Sequence, residues 1–356
     1  MKKALLHLYG CIVLAVWCAA SCNPTPAPNP PAPVDAQTSG VYVLCEGLFQ
    51  MNNSGIAYYD FMSNTLMDNI FLQQNGRGLG DTGNDLKAYG SKLYCVVNNS
   101  NRVEVMRLAD AVSIKVIELP GKQPRNIAFH QGKAYVSCFD GDVVRIDTAT
   151  LQVDGTARAG LNPEQLCVCD GKLYVANSGG LNAPDYDHTV SVFELSSFNL
   201  VKTIDVGANP YAIAAYNDRF VYVTTRGNYG SETADLHKID CQSDEVVKDY
   251  GLEVFGLRIF ENKAYLYSNS MTSTSNWIRV LNLDSDMLDE GNFITDGTII
   301  QRPYGLVVNA LNGDVYVADA YNFTVNGDVY CFDKNGKLKF SFAVGLNPSA
   351  MVLRYE

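Results

Sequence analysis

The histidines of this chain are too few and too scattered to form a recognisable catalytic or metal-binding motif. After the first 21 residues only His130, His188 and His237 remain, and no two are close in sequence. The HxH, HExxH and CxxC spacings of zinc sites are absent, as is the GxSxG sequence of a nucleophilic serine. His188 lies beside Asp185 and Asp187 in a polar segment, and we interpret it as a solvated residue.

An acidic cluster offers oxygen ligands for a cation. It consists of Asp284, Asp286, Asp289 and Glu290. The spacing of these residues does not match the EF-hand loop, which needs a glycine at its sixth position, so we interpret the cluster as a solvated turn between strands. No pair of carboxylates stands out for hydrolysis. We therefore predict no metal, no cofactor and no enzymatic activity.

A third set of side chains suits binding rather than catalysis. Aromatic residues interleaved with Asn, Ser, Thr and Asp occur in five long segments, residues 46–55, 177–189, 226–234, 268–277 and 318–328. Rings combined with amide and hydroxyl groups suit a large, amphipathic, near-neutral ligand. The alternative for each ring is packing on a neighbouring loop. The predicted ligand-binding residues are Phe49, Asn52, Tyr186, Asp187, Arg226, Tyr229, Trp277, Tyr321 and Phe323.

The elements that position these segments are repeats of four short strands. A strand centred on tyrosine recurs at Tyr42, Tyr94, Tyr135, Tyr174, Tyr222, Tyr265 and Tyr316. The intervals of 39 to 52 residues fit a four-stranded propeller blade. An apolar strand precedes each complete copy, and an alternating strand and a fourth run follow it.

The two ends of the repeat region complete one unit between them. The first unit begins directly at its tyrosine strand, residues 41–43, and residues 347–353 form a first strand with nothing after it. Pairing of these two strands would close a ring and remove the exposed sheet edges. The predicted fold is all-β: a seven-bladed β-propeller of four-stranded antiparallel blades over residues 40–356, closed by the C-terminal strand.

The strand order of such a blade fixes which loops share a face. Loops between the second and third strands lie on the same face as the blade-to-blade connections, because neighbouring strands are antiparallel. The five long segments are all of this kind and belong to neighbouring units, so we expect a continuous crescent. At the inner ends of this face lie Arg125, Arg226, Arg302, Tyr211 and Tyr304, which could instead bond blade carbonyls.

The side chains that the innermost strands direct into the central channel indicate whether the channel could be catalytic. We expect them to offer it mainly the apolar residues Ile127, Leu166, Ile213, Leu257, Leu306 and Met351. A channel lined in this way argues against clustered catalytic carboxylates or metal ligands.

The N-terminal residues have the pattern of a secretory signal. Two lysines precede an apolar stretch at residues 5–17, which is shorter than a membrane span, and small residues lead to Cys22. The sequence AASC resembles a bacterial lipobox, which implies that Cys22 carries lipid; the alternative is an ordinary secretory signal. We predict a signal peptide over residues 1–21 and a lipidated, proline-rich linker over residues 22–39, extended as polyproline II.

Net charge narrows the class of possible partners, and the cysteine pattern narrows the possible disulfide bonding. The net charge of −11 disfavours a nucleic-acid partner, because phosphate binding needs clustered Lys and Arg. Seven cysteines follow Cys22, mostly within apolar strands and without a CxxC pair. We expect buried thiols and no disulfide framework.

The NP-x-x-(I/L)-A … G-K-x-Y-V-x-N spacing resembles the YVTN/YncE-type seven-bladed propeller repeats over residues 41–356. The opening VYVLCEG at residues 41–47 is similar to lipid-anchored members from Gram-negative bacteria, among them the vitamin B12-capturing surface propellers (BtuG-type). This resemblance implies an outer-membrane lipoprotein, on the cell surface or facing the periplasm, that captures a corrinoid for a TonB-dependent outer-membrane transporter. The alternatives are a protein-interaction scaffold in the envelope and a propeller enzyme, such as a lactonase or a carbohydrate-active protein.

Overall fold

The computed structural model describes residues 37–270 and 276–356. The predicted signal peptide, the lipidation site Cys22 and most of the proline-rich linker lie outside these described residues. The described residues contain 28 strands and one helix, and the strands form seven four-stranded antiparallel sheets. The single helix of this part of the chain is too short to cross a membrane.

Blades 1 to 3 each run from an inner strand to an outer edge strand. Blade 1 contains β28 (Pro348–Tyr355), β1 (Thr38–Cys45), β2 (Gly55–Asp60) and β3 (Thr65–Met67). Blade 2 contains β4 (Gly83–Tyr89), β5 (Lys92–Val97), β6 (Arg102–Arg107) and β7 (Ser113–Glu118). Blade 3 contains β8 (Pro124–His130), β9 (Lys133–Cys138), β10 (Asp142–Asp147) and β11 (Gln152–Arg158).

Blades 4 to 7 repeat the same order. Blade 4 contains β12 (Pro163–Cys169), β13 (Lys172–Asn177), β14 (Thr189–Glu194) and β15 (Asn199–Asp205). Blade 5 contains β16 (Pro210–Tyr216), β17 (Phe220–Thr225), β18 (Asp235–Asp240) and β19 (Glu245–Asp249). Blade 6 contains β20 (Gly256–Phe260), β21 (Lys263–Tyr267), β22 (Ile278–Asn282) and β23 (Met287–Leu288). Blade 7 contains β24 (Pro303–Val308), β25 (Val315–Asp319), β26 (Asn326–Phe332) and β27 (Leu338–Leu346).

The chain ends close the ring as the sequence predicts. Strand β28 pairs antiparallel with β1 along its length, from Thr38 opposite Tyr355 to Cys45 opposite Pro348. The first strands of successive blades contact one another, and β28 contacts β4 of blade 2, so the circle is complete. The seven-bladed propeller is confirmed. Helix α1 (Ile70–Asn75) lies in the connection between blades 1 and 2.

The recurring tyrosine of each second strand is a core residue that joins consecutive blades. Tyr42, Tyr94, Tyr174 and Tyr222 are all 0 % exposed. Tyr94 of blade 2, for example, packs in one cluster with residues of blade 3. The tyrosines therefore hold neighbouring sheets together, because each ring buries a large apolar area against the next blade.

The predicted apolar lining of the central channel is confirmed only in part. Ile127 is fully buried between blades 2 and 3 and Met351 in a cluster of blades 1 and 7, whereas Leu166, Ile213, Leu257 and Leu306 do reach the channel wall. That wall also carries Glu46, Asn84, Lys87, Arg125, Gln165 and Arg258. The cause is a β-bulge at the start of six first strands, which breaks the alternation of facing side chains.

One cysteine pair also departs from the expectation of free thiols. Cys169 at the end of β12 and Cys241 just after β18 form a disulfide between blades 4 and 5, with their Cα atoms 6.6 Å apart. The two residues meet because a strand of each blade ends on the same face. The other five cysteines of the described residues, including Cys167 of blade 4, remain thiols, and four of them are buried.

Candidate functional site

The long loops lie together on one face of the ring, as predicted. Each of the five joins a second to a third strand: β1 to β2, β13 to β14, β17 to β18, β21 to β22 and β25 to β26. We call this side the loop face and the opposite side the turn face. The blade-to-blade connections also reach the loop face, because all sheet neighbours are antiparallel.

Seven side chains surround the entrance of the central channel on the loop face. Each lies two positions before the recurring apolar residue of its first strand, and in every blade except blade 6 it lies at or beside the bulge. We call them the mouth ring, and they are Asn84, Arg125, Glu164, Tyr211, Phe255, Tyr304 and Ser349. The channel wall includes six of them directly, and Glu164 is held there by its neighbour Arg125.

One half of the mouth ring is polar and internally satisfied. The Arg125 guanidinium donates to both Glu164 carboxylate oxygens, from Nε at 3.0 Å and from Nη2 at 3.2 Å. Its Nη1 donates to Asn84 Oδ1, and Asn84 Nδ2 donates to the Arg125 carbonyl at 2.9 Å. This buried ion pair fixes blades 2, 3 and 4 against one another, because breaking it would leave a buried charge uncompensated.

The other half of the mouth ring is aromatic. The ring centroids of Tyr211 and Phe255 are 5.4 Å apart, and those of Phe255 and Tyr304 are 6.1 Å apart. Tyr304 also meets Phe323 of the β25–β26 loop edge to face at 5.2 Å. These separations are those of favourable aromatic pairs, so the rings form one continuous apolar wall.

A cavity of about 540 Å³ lies beside this aromatic wall; we call it the rim cavity. Its larger lining residues are Arg226, Tyr229, Glu253, Phe255, Tyr304 and Phe323. Smaller side chains, among them Thr225, Ser268 and Asn269, complete it with hydroxyl and amide groups. Its volume and its mixture of rings with a few polar groups match those of small-molecule sites.

Four of the predicted binding residues meet at the rim cavity. Arg226, Tyr229 and Phe323 line it, and Tyr186 contacts the ring of Tyr229 edge to face at 5.9 Å. Tyr229 is 72 % exposed, so its ring is available at the entrance. These residues come from the loops of blades 4, 5 and 7.

The other predicted residues lie elsewhere in the loops. Phe49 is exposed, and Asn52 has a left-handed backbone with φ of 50° in the same β1–β2 loop. Asp187 accepts hydrogen bonds from the backbone amides of its own loop and of residue 161. Trp277 packs in the blade 6 cluster beneath a guanidinium. The Tyr321 hydroxyl donates to the Asp328 carboxylate.

Three larger residues of the rim cavity, Glu253, Phe255 and Tyr304, were not among the predicted binding residues. Glu253 and Phe255 precede β20 in a blade-to-blade connection, and the predicted binding residues all come from loops between second and third strands. Tyr304 was noted only as an inner-end residue. Phe255 and Tyr304 could have been identified by their position in the repeat, two residues before Leu257 and Leu306 respectively.

Glu46 connects the channel mouth to the rim cavity through Tyr304. The Tyr304 hydroxyl, on a ring that lines both spaces, donates to Glu46 Oε2 at 3.2 Å. Burial raises the pKa of Glu46 from 4.5 to about 7, against the opposing effects of Arg125 and of this hydrogen bond. The carboxyl group therefore changes charge near neutral pH.

We expect Glu46→Gln to remove part of the pH dependence of stability. The raised pKa means that Glu46 contributes stability below about pH 4.5, which is lost as the pH rises through about 7. The variant should thus be more stable than the wild type at pH 8, on the order of 2 kcal/mol, and the gap should vanish near pH 4. Urea unfolding across this range checks it. The exposed Glu290→Gln is the control, and parallel curves for Glu46→Gln and wild type would contradict the expectation.

Among the described residues, one group of ligand-type side chains is close enough to hold a metal ion. The ligand atoms of Asp235, His237 and Asp249 lie within 4.8 Å of one another. Hydrogen bonds already link them to the protein, since His237 Nδ1 is 2.6 Å from Asp249 Oδ1 and Asp235 accepts two backbone amides. The group is therefore satisfied without an ion.

The carboxylates of the acidic cluster after β22 are also engaged in hydrogen bonds to the protein. Asp284 accepts hydrogen bonds from the Tyr216 hydroxyl and from Asn262 Nδ2. Asp286 accepts from Lys248 Nζ at 2.8 Å. These carboxylates fasten blade 6 to blade 5 on the turn face, away from the rim cavity.

Comparison with solved structures shows the fold alone. A quinoprotein alcohol dehydrogenase-like protein from Bacteroides thetaiotaomicron is 16 % identical with a TM-score of 0.65, covering 89 % of this chain and 78 % of that one. Hydrazine synthase from Kuenenia stuttgartiensis is 14 % identical with a TM-score of 0.63, covering 75 % and 88 %. The computationally designed protein Ika8 is 14 % identical with a TM-score of 0.57, covering 89 % and 91 %.

At the level of sequence, no curated protein matches the chain significantly. A family model does match it, over residues 39–347, which is nearly the whole propeller. By that match the chain belongs to the DUF5074 family, described as a domain of unknown function.

Proposed function

We propose that this protein is a non-enzymatic binding propeller that captures an amphipathic ligand on its loop face. The observation that carries the proposal is the rim cavity, where aromatic walls from blades 5, 6 and 7 converge with amide and hydroxyl groups. Polar groups that could do chemistry at the adjoining mouth ring are engaged in the Arg125–Glu164 pair. The site is thus equipped to bind and orient a ligand.

The ligand we propose is a corrinoid. Its macrocycle offers an extended apolar face, and its amide side chains match the amide and hydroxyl groups of the rim. A molecule of that size exceeds the drug-sized ligands that such a volume encloses. It would therefore occupy the rim cavity with one part and lie across exposed side chains such as Tyr229 and Leu181 with the rest.

A lipid anchor at Cys22 and a TonB-dependent outer-membrane transporter that receives the ligand complete the proposal. Strand β1 starts on the turn face and runs to the loop face, so Gln37, the first described residue, lies on the side opposite the rim cavity. The partner surface that we propose is the loop face. Phe49 and Met51 of the β1–β2 loop are 62 % and 63 % exposed at that face, and exposed apolar groups of this kind mark interaction surfaces.

Titration calorimetry with cyanocobalamin tests the proposal. We expect heat of binding at micromolar protein, and we expect Tyr229→Ala to weaken the affinity about fivefold or more, as for a central aromatic contact. Met62→Ala is the matched control, because Met62 is 76 % exposed in a turn on the turn face. Absence of heat and of any change in the corrin spectrum would reject the corrinoid.

A protein-interaction scaffold is the second candidate, favoured by exposed apolar residues that lie outside the rim cavity. Phe49 and Ile299 belong to this group. A scaffold would retain its transporter in a pull-down with or without a corrinoid, and Phe49→Ser would weaken that retention while Tyr229→Ala would not. Retention that depends on the corrinoid would instead support ligand delivery.

A further inference from the structure

Arg226 forms no ion pair with an acidic side chain among the described residues. It follows β17, lines the rim cavity, and its Nε is buried without a hydrogen-bond partner. Its guanidinium lies 3.4 Å from the ring centroid of Tyr211 and 4.7 Å from that of Phe255. Two rings of the mouth ring therefore hold the guanidinium, and neither supplies a negative charge.

Arg125 and Arg226 differ in how their charges are compensated. Arg125 lies at the channel mouth, where it is paired with Glu164 at 2.9 Å and donates to Asn84, whereas Arg226 lines the rim cavity. Glu253 shares the rim cavity with Arg226, yet it is exposed and forms no ion pair with it. An unpaired charge in a partly buried wall carries a desolvation cost that an anionic partner would offset.

We propose that Arg226 is an anion subsite, which receives a compact oxyanion, a carboxylate or a phosphate, from the ligand of the rim cavity. This inference rests on the proposed binding function and specifies the ligand class. Stacking on Tyr211 and Phe255 limits rotation of the guanidinium plane, and a fixed guanidinium fork matches an oxyanion with two parallel hydrogen bonds. The apolar body of the ligand then lies on Phe255, Tyr304 and Phe323.

Two sources could supply this oxyanion. One is the phosphate in the nucleotide loop of a corrinoid such as cyanocobalamin. The other is a carboxylate or phosphate on an unrelated aromatic ligand. The shared chemistry is an oxyanion joined to a large apolar body, and a pair of probes that differ only in the anion isolates it.

The test compares two fluorescent probes of the same aromatic frame. One is 8-anilinonaphthalene-1-sulfonate, and the other is N-phenyl-1-naphthylamine, which lacks the sulfonate. For the full-length mature protein we expect Arg226→Met to weaken the sulfonate probe roughly 10- to 100-fold, the range of a charge-assisted hydrogen bond. The neutral probe should change less than about threefold, because Met keeps an apolar side chain in the same place.

Arg279→Met is the matched control for the loss of one positive charge. Arg279 also stacks on a ring, 4.9 Å from that of Trp277, but it does not line the rim cavity. This variant should bind both probes as the wild type does. If Arg279→Met weakens the sulfonate probe as much as Arg226→Met, the effect is one of net charge and the anion subsite is overturned.

The remaining outcomes separate this inference from the proposed function. Equal binding of the sulfonate probe by wild type and Arg226→Met overturns the anion subsite while the cavity stands as a binding site. Failure of the wild type to bind either probe overturns both. A corrinoid arm identifies the source: if Arg226→Met weakens cyanocobalamin but not cobinamide, which lacks the nucleotide loop, the phosphate is the anion. If neither corrinoid binds while the sulfonate probe does, the subsite stands and the corrinoid is rejected.

Discussion

Removal of residues 347–356 should abolish the cooperative fold. Strand β28 is the innermost strand of blade 1, and it buries Met351 and Leu353 against blades 1 and 7. Each buried side chain of this size is worth about 2–5 kcal/mol, which is a large part of the roughly 5–15 kcal/mol of a typical domain. The deletion would also expose the pairing edge of β1, so aggregation is expected. Thermal unfolding followed by near-UV circular dichroism checks this.

A circular permutant separates the loss of the strand from the loss of its connection. The backbones of Gln37 and Glu356 already exchange two hydrogen bonds of 2.9 Å, so a short linker can join β28 directly to β1. The permutant, with its new ends between β27 and β28, should unfold cooperatively near the wild-type temperature. Cooperative unfolding of the truncated protein at that same temperature would show that the closure is dispensable.

Loss of the disulfide should be the second largest change in stability. The bond between Cys169 and Cys241 closes a loop with a sequence separation of 72 residues and ties blade 4 to blade 5. The double variant Cys169→Ser, Cys241→Ser should therefore lose about 4 kcal/mol of unfolding free energy, mainly through greater freedom of the unfolded chain. Urea unfolding with and without reductant measures this loss.

Cys167→Ala is the matched control for this effect. Cys167 lies on the same strand as Cys169 but remains a thiol. Reductant should destabilise the wild type and Cys167→Ala alike and leave the double variant unchanged. Equal stability of wild type and double variant under oxidising conditions would show that the bond does not form in the folded protein.

The fold could be predicted from the sequence because the blades repeat and the core position within them is invariant within the chain. The tyrosine at the centre of each second strand, from Tyr42 to Tyr316, sets the period and is buried in every blade. The first unit lacks its first strand and the C-terminal end carries one extra strand, and together these two features predicted how the ring closes. Each of these signals is local, and each agrees with the alternation expected of paired strands.

The site could be predicted only in part, because it depends on a departure from that alternation. The loops indicated Arg226, Tyr229 and Phe323, which do line the rim cavity. The bulge that directs Arg125 and Tyr304 to the channel mouth inserts an extra residue that no hydrophobic pattern reveals. For the same reason the channel was expected to be mainly apolar. Phe255 of the aromatic wall was not anticipated because it lies in a blade-to-blade connection, before a strand that pairs without a bulge.

Contacts between residues that are distant in sequence could not be predicted from the sequence either. Cys169 and Cys241 are 72 residues apart in sequence, and the sequence offers seven cysteines with no rule for matching them. The stacking of Arg226 between Tyr211 and Phe255 likewise joins a loop to two first strands. Such contacts follow from how blades meet, which the repeat pattern within a blade does not encode.

The mouth ring has a consequence for how such a protein can change its ligand. Its seven side chains occupy equivalent places, one per blade. Tyr211 and Phe255 pack against the apolar clusters of blades 5 to 7, whereas Ser349 belongs to none of the clusters. A replacement at Ser349 should therefore alter what the entrance recognises with less effect on the core than a replacement at Tyr211. The mouth ring thus offers seven equivalent positions on one scaffold, and ligand specificity can change at one blade at a time. Deep mutational libraries at these positions, with unfolding measured beside ligand binding, would separate effects on recognition from effects on folding.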